Sequence, residues 1–159
     1  HKQEKYLKWK HKELISLAYP ALPRTIDRNN VKNGQKYQSI FFNLRQYFRP
    51  WRLIFYPNGK KVFPEGLKIS PLSLGVLYMD DGCWTGTKCV IATEGFDDPS
   101  IERIQQTLQS QYGIESVVGK NRKLVIRKQS HDMFYKIVSP NMNSSMKYKI
   151  PNPVTTFSA

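Results

Sequence analysis

Cysteine is scarce in this chain: Cys83 and Cys89 are the only two in 159 residues, and neither has a His or Cys partner at zinc-ligand spacing. That argues against a disulfide framework and against a structural zinc site, and fits two reduced thiols in an intracellular protein. Long apolar runs are also missing. Nothing approaches the roughly 18 consecutive apolar residues of a membrane span, and the opening HKQEKYLKWKHKEL is too charged for a signal peptide. The first residue is His1 rather than Met, so a preceding segment is expected. The third scarcity is acid. There are 12 Asp and Glu against 25 Lys and Arg, a net charge of +13. The excess is uneven, 15 basic against 4 acidic over residues 1–68 and 10 against 8 over 69–159. Such a field concentrates polyanions, nucleic acid being the usual partner. No basic amphipathic helix with a broad apolar face points to a membrane surface instead.

What is present supports one compact domain, or two small halves sharing a core. Residues 3–17 carry Tyr6, Trp9, Leu14 and Leu17 on a loose helical stripe. Two strands are expected near 25–28 and 35–43, turned at Asn33 and Gly34, and a basic aromatic helix after Pro50. PNGKKVFP, residues 57–64, reads as a loop. Beyond it a helix from Pro71, a strand over 87–93 and room for a short strand near Trp84 are expected. Asp97, Asp98 and Pro99 then start a helix with Ile101, Ile104, Leu108 and Tyr112 on one stripe and Gly113 as its stop. A strand pair over 115–118 and 123–128, a helix over 130–138 and the polar tail NMNSSMKYKIPNP follow. The helix, strand, strand, helix order before residue 57 resembles the back portion of the order after residue 71, a weak internal repeat divided here as 1–68 and 69–159.

The stretch PLSLGVLYMDDGCW, residues 71–84, ends an apolar run in two acids and a glycine. Small Ser73 and Gly75 suit a helix buried on nearly all sides, and Gly82 suits a C-terminal cap. The acids do not suit it. A helix C-terminus carries about half a negative charge, so anions there cost roughly 0.3 to 1 kcal/mol, and Asp80 and Asp81 call for a cation to offset them. A divalent metal does this well. Adjacent helical positions point about 100° apart, so one ligand and one supporting acid are expected; a solvated helix end with two harmless acids is the plainer alternative.

From Leu74 to Gly82 the chain resembles the helix motif of the LAGLIDADG homing endonucleases, in their two-motif branch. The likeness continues through the following strand, the Asp-started helix, the strand pair and MKYKIPNP, with YPNGKKVFP resembling the basic loop before the second motif. The resemblance implies an α+β fold, an αββαββα pseudo-repeat with antiparallel saddle-shaped sheets, the first repeat incomplete at its N-terminus. It implies a magnesium- or manganese-dependent, sequence-specific DNA endonuclease. Asp81 would hold the metal, Asp80 and Gly82 would complete the metal-bearing helix end, and Lys61 and Lys149 would assist the chemistry. By charge counting alone those lysines are ordinary surface residues. One motif is present where the family uses two. The other is expected before His1, or from a second chain, or lost together with cleavage.

Strand alternation puts Lys123, Val125 and Arg127 on one face and Leu124 and Ile126 on the other. By the same period Lys36 and Gln38 share a face, as do Arg24 and Arg28, and Lys88 belongs to the motif's own half. These seven polar residues are the candidate contacts to a long asymmetric DNA target. The rival readings are a non-cleaving nucleic-acid binder, such as a group I intron RNA maturase or a domesticated factor of the same family, and a structural module inside a larger ribonucleoprotein. An organelle, a prokaryote or a phage are all open as the setting.

Overall fold

The computed structural model describes residues 3–31 and 33–151; Asn152 and Pro153 of the closing motif lie outside them. The chain forms two compact units, residues 1–50 and 51–159. In the first, helix α1 (Glu4–Glu13) buries Tyr6 and His11 and carries Lys10, His11 and Lys12 in its last turn, where cations complement the helix dipole. It stops short of Leu17 because Leu14 leaves helical geometry (φ −102°, ψ 16°). Strand β1 (Arg24–Asn29) then pairs antiparallel with β2 (Lys36–Phe41). The turn uses Gly34 at φ 66°, a conformation that favours glycine. Helix α2 (Arg49–Phe55) follows, and the boundary between the units falls within it.

The second unit contains helix α3 (Pro71–Asp81), strands β3 (Gly82–Trp84) and β4 (Cys89–Ile91), helix α4 (Asp98–Tyr112), strands β5 (Ser116–Val118) and β6 (Leu124–Ile126), and helix α5 (His131–Val138). The four strands form one antiparallel sheet in the order β3-β4-β6-β5. Its inner face, with Cys89, Ile91, Leu124 and Ile126, packs in a core shared with Leu74, Tyr78, Ile104 and Phe134, all of them buried. Helix α4 is bounded as its sequence dictates: the Asp97 side chain accepts from the Ser100 amide at 2.9 Å, and Gly113 closes it at φ 66°. The order α1-β1-β2-α2 matches α4-β5-β6-α5, and the architecture is α+β. No helix among the described residues is long and apolar enough to cross a membrane.

One expectation for α3 needs correcting. The helix buries one face only, Leu74, Gly75, Tyr78 and Met79, because Ser73, Val76 and Leu77 border an open groove instead. Gly82 is the C-cap as expected, its amide donating to the Tyr78 carbonyl, but it makes no left-handed turn. It is extended (φ −87°, ψ 154°) and begins β3 directly, and it is glycine because a Cβ there would overlap the Tyr78 ring. Gly75 does serve close approach: a Cβ would lie 2.9 Å from the Asn141 Cβ.

Candidate functional site

Helix α3 starts from a Ser70 side chain that accepts from the Ser73 amide at 3.1 Å, with Pro71 in the first turn, and its other end delivers Asp80 and Asp81. Asp80 is exposed and Asp81 half-buried, and both border a groove of about 460 Å³ between α3, the segment around Phe63 and Ile69, and Phe96. The carbonyl of Asp81 accepts from the Ala92 amide at 2.8 Å, so the helix passes into the sheet without a loop.

Two lysines offset the misplaced acids. The Lys61 ammonium is 3.8 Å from Asp81 Oδ2 and 4.2 Å above the Phe96 ring. Its segment is pinned to α4: the Phe63 amide donates to Ser100 Oγ at 2.9 Å and Arg103 Nε donates to the Phe63 carbonyl at 2.7 Å. The Lys149 ammonium donates to the carbonyls of Met79 (2.6 Å) and Asp80 (3.3 Å). These are helix-terminal acceptors that a cation satisfies well. Burial pushes Lys149 below the ordinary lysine value, against the raising pull of Asp80, Asp81 and Cys83. The structure therefore brings Asp80, Asp81, Gly82, Lys61 and Lys149 to one place, across 88 positions of sequence.

Sequence reasoning missed what holds Lys149. Tyr78, fully buried, donates its hydroxyl to the Lys149 backbone carbonyl at 2.7 Å, so helix end and tail grip each other in both directions. Only the general rule that a buried tyrosine finds a partner could have flagged it. Around that ring Phe134 and Tyr135 pack edge-on at 5.1 and 6.4 Å. Burial raises both tyrosine hydroxyls above their ordinary value and pushes the neighbouring Cys89 thiol up to about 11.

The acids are hard oxygen donors, suited to Mg²⁺ or Mn²⁺. Among the described residues no group of three or more His, Cys, Asp or Glu is gathered around a metal position.

The seven candidate contacts do not form one surface. In the second unit Lys123 and Arg127 continue the outer face of β6, and Lys88 continues that of β4. Lys123 is 3.3 Å from Glu94, and Arg127 is 3.9 Å from Glu115. In the first unit Arg24 and Arg28 lie opposite Phe41 and Tyr37, whereas Lys36 and Gln38 lie opposite Asn29 and Asp27. Direct partners share a face and neighbours alternate, so the two pairs project to opposite sides of the ribbon. Gln38 is held by Asp27 at 3.0 Å. Its face continues to Phe42, which packs on His11 of α1 at 5.1 Å. Arg24 and Arg28 occupy the side away from that packing.

Residues 1–134 match the profile of the LAGLIDADG DNA endonuclease family. The cytochrome b mRNA maturase bI2 of Saccharomyces cerevisiae is 30% identical over 92% of this chain. The intron-encoded endonuclease ai4 of Dictyostelium discoideum is 27% identical over 77% of the chain and 81% of its own length. Among solved structures, the homing endonuclease I-WcaI bound to its DNA recognition sequence superposes with a TM-score of 0.78, at 23% identity, over 91% of this chain and 70% of that one. The chain spans 39% of the length of the yeast relative.

Proposed function

Since the chain belongs to the LAGLIDADG DNA endonuclease family, we propose that it is a sequence-specific endonuclease that hydrolyses phosphodiester bonds in double-stranded DNA with Mg²⁺ or Mn²⁺. The observation that carries this reading is the helix tip. Asp81 stands at an open groove with Lys61 3.8 Å away and Lys149 fixed on the preceding carbonyls. Asp81 would hold the ion, with Asp80 and the Gly82 backbone completing the tip. A bound divalent ion supplies charge stabilisation at the scissile phosphate. Lys61 and Lys149 would place positive charge where charge develops. A likeness to a DNA-bound homing endonuclease supports a duplex partner.

Arg24 and Arg28 in the first unit and Lys88, Lys123 and Arg127 in the second are the contacts this reading assigns to DNA; Lys36 and Gln38 belong to the other face of the ribbon. The division into repeats at 1–68 and 69–159 belongs to the same proposal. So does a second acid-ended helix, from preceding chain or a second chain, seated along Ser73, Val76 and Leu77. An organellar setting is supported by relatives named for introns and for cytochrome b mRNA.

The similarity to mRNA maturases across 92% of the chain favours a second reading, intron RNA binding without cleavage. The experiment is cleavage of a supercoiled plasmid carrying an intron insertion site, with and without magnesium, by the parent chain and Asp81→Ala. Magnesium-dependent cutting that disappears in the variant, with duplex binding retained, supports the nuclease. Parallel loss of binding assigns Asp81 a folding role. No nicking by the parent, with tight intron RNA binding, selects the maturase.

A further inference from the structure

The outer face of the second unit's sheet has a composition that the basic surface around it does not explain. Cys83 is the register partner of Val90, Val90 of Val125, and Val125 of Val117. Direct partners in antiparallel pairs share a face, so the four side chains form one row across all four strands. The opposite face holds buried Cys89, Ile91, Leu124 and Ile126. The row therefore points outward, with Cys83 exposed and the three valines half-exposed. At about 4.8 Å between strands it is roughly 14 Å long, close to the roughly 12 Å width of the DNA major groove.

Valine offers no hydrogen bond. Strand propensity alone would be met as well by threonine, which does. The flanks differ. Lys88 and Arg127 lie on one side of the row and Lys123 on the other, in a chain of net charge +13. Position 119 is glycine, and a Cβ there would come 2.9 Å from the Val125 Cγ2, so no side chain covers the stripe at that point. Cations thus draw a polyanion to a face whose centre presents only carbon and one thiol. In the major groove the apolar feature is the thymine 5-methyl group. Uracil lacks it, and the A-form RNA major groove is too narrow for side chains.

We infer that the row Val90–Val125–Val117 reads thymine methyl groups at consecutive positions of the DNA target, and that this makes the face selective for DNA over RNA. The inference rests on the reading of duplex DNA as the ligand. Its test is selection from a randomised duplex library with the whole chain, followed by affinity measurements on the selected duplex with deoxyuridine in place of thymidine. Adjacent thymines should be enriched in the segment footprinted by the sheet. Each methyl removed should weaken binding roughly fourfold, the scale of burying one methyl group. Val125→Ala, which removes both γ-methyls, should narrow the affinity difference between thymine and uracil duplexes; an unchanged difference overturns the inference. Equal affinity for thymine and uracil duplexes overturns the inference and leaves the DNA reading intact. Failure to retain any duplex, with tight binding of structured RNA, overturns both.

Discussion

Replacing Tyr78 by Phe removes one oxygen atom from a fully buried ring and isolates what that oxygen does. The hydroxyl donates at 2.7 Å to the Lys149 carbonyl, while the Lys149 ammonium returns to the Met79 carbonyl at 2.6 Å. The ring is held by Phe134 and Tyr135, so the phenyl ring of the Tyr78→Phe variant stays in place and the part-buried Lys149 carbonyl loses its donor. A partly buried acceptor left without its donor costs about 1 kcal/mol, a Tm drop of about 2 to 4 °C for a chain of this size. The tail carrying Lys149 is then held from one side only. A displacement of an assisting group by an ångström slows chemistry by up to about a hundredfold, so single-turnover cleavage at saturating enzyme should fall at least tenfold beyond any loss of folded protein. Thermal unfolding and DNA binding measured beside cleavage separate the two effects. Unchanged Tm would refute the hydrogen-bond reasoning. Lower Tm with full cleavage of the remaining folded protein would refute the positioning of Lys149 by Tyr78.

Ser100→Ala removes the acceptor for the Phe63 amide; it should destabilise by about 1 to 3 kcal/mol and reduce cleavage by loosening Lys61, which unfolding and kinetics together would show. A disulfide reagent should titrate one thiol in the native chain, exposed Cys83, and two after denaturation, because Cys89 is buried and its thiol is pushed up to about 11; two fast thiols in the native chain would contradict the packing. The folded value for Lys149 lies below its ordinary 10.5, so its ammonium is lost at lower pH than in the unfolded chain. Cleavage should therefore decline on the alkaline side with a midpoint below 10.5, and Lys149→Arg should abolish that decline. The stability contribution has the opposite sign: burying the charged form costs stability at neutral pH, and the cost is relieved as pH rises from the folded value to 10.5.

Where local chemistry dictates the outcome, the sequence was legible. Asp97 and Gly113 bound α4 as capping residues do, and Asp80 and Asp81 announced an anomaly at a helix end. The rest depended on distance along the chain. That Lys61 and Lys149 converge on Asp81 follows from a bridge at Phe96 and from contacts with Met79, which no local pattern carries; family resemblance supplied it. The cap at Gly82 was legible, but its cause was not: a glycine after a helix serves a left-handed turn or a crowded approach, and only the position of Tyr78 decides between them. Strand period correctly paired Arg24 with Arg28 and Lys36 with Gln38, yet the relative facing of the pairs is set by register, which a two-residue period cannot reveal across a turn.

The direct passage from α3 into β3, secured by the Ala92 amide on the Asp81 carbonyl, leaves no slack between the acidic tip and the strand carrying Cys83. A mismatched duplex that tilts the sheet must carry the carboxylate with it. Under the proposed nuclease activity, fidelity would then be built into the stiffness of the joint: a poorly fitted target would be held with its phosphate out of line, and discrimination would fall in the cutting step even where occupancy is high.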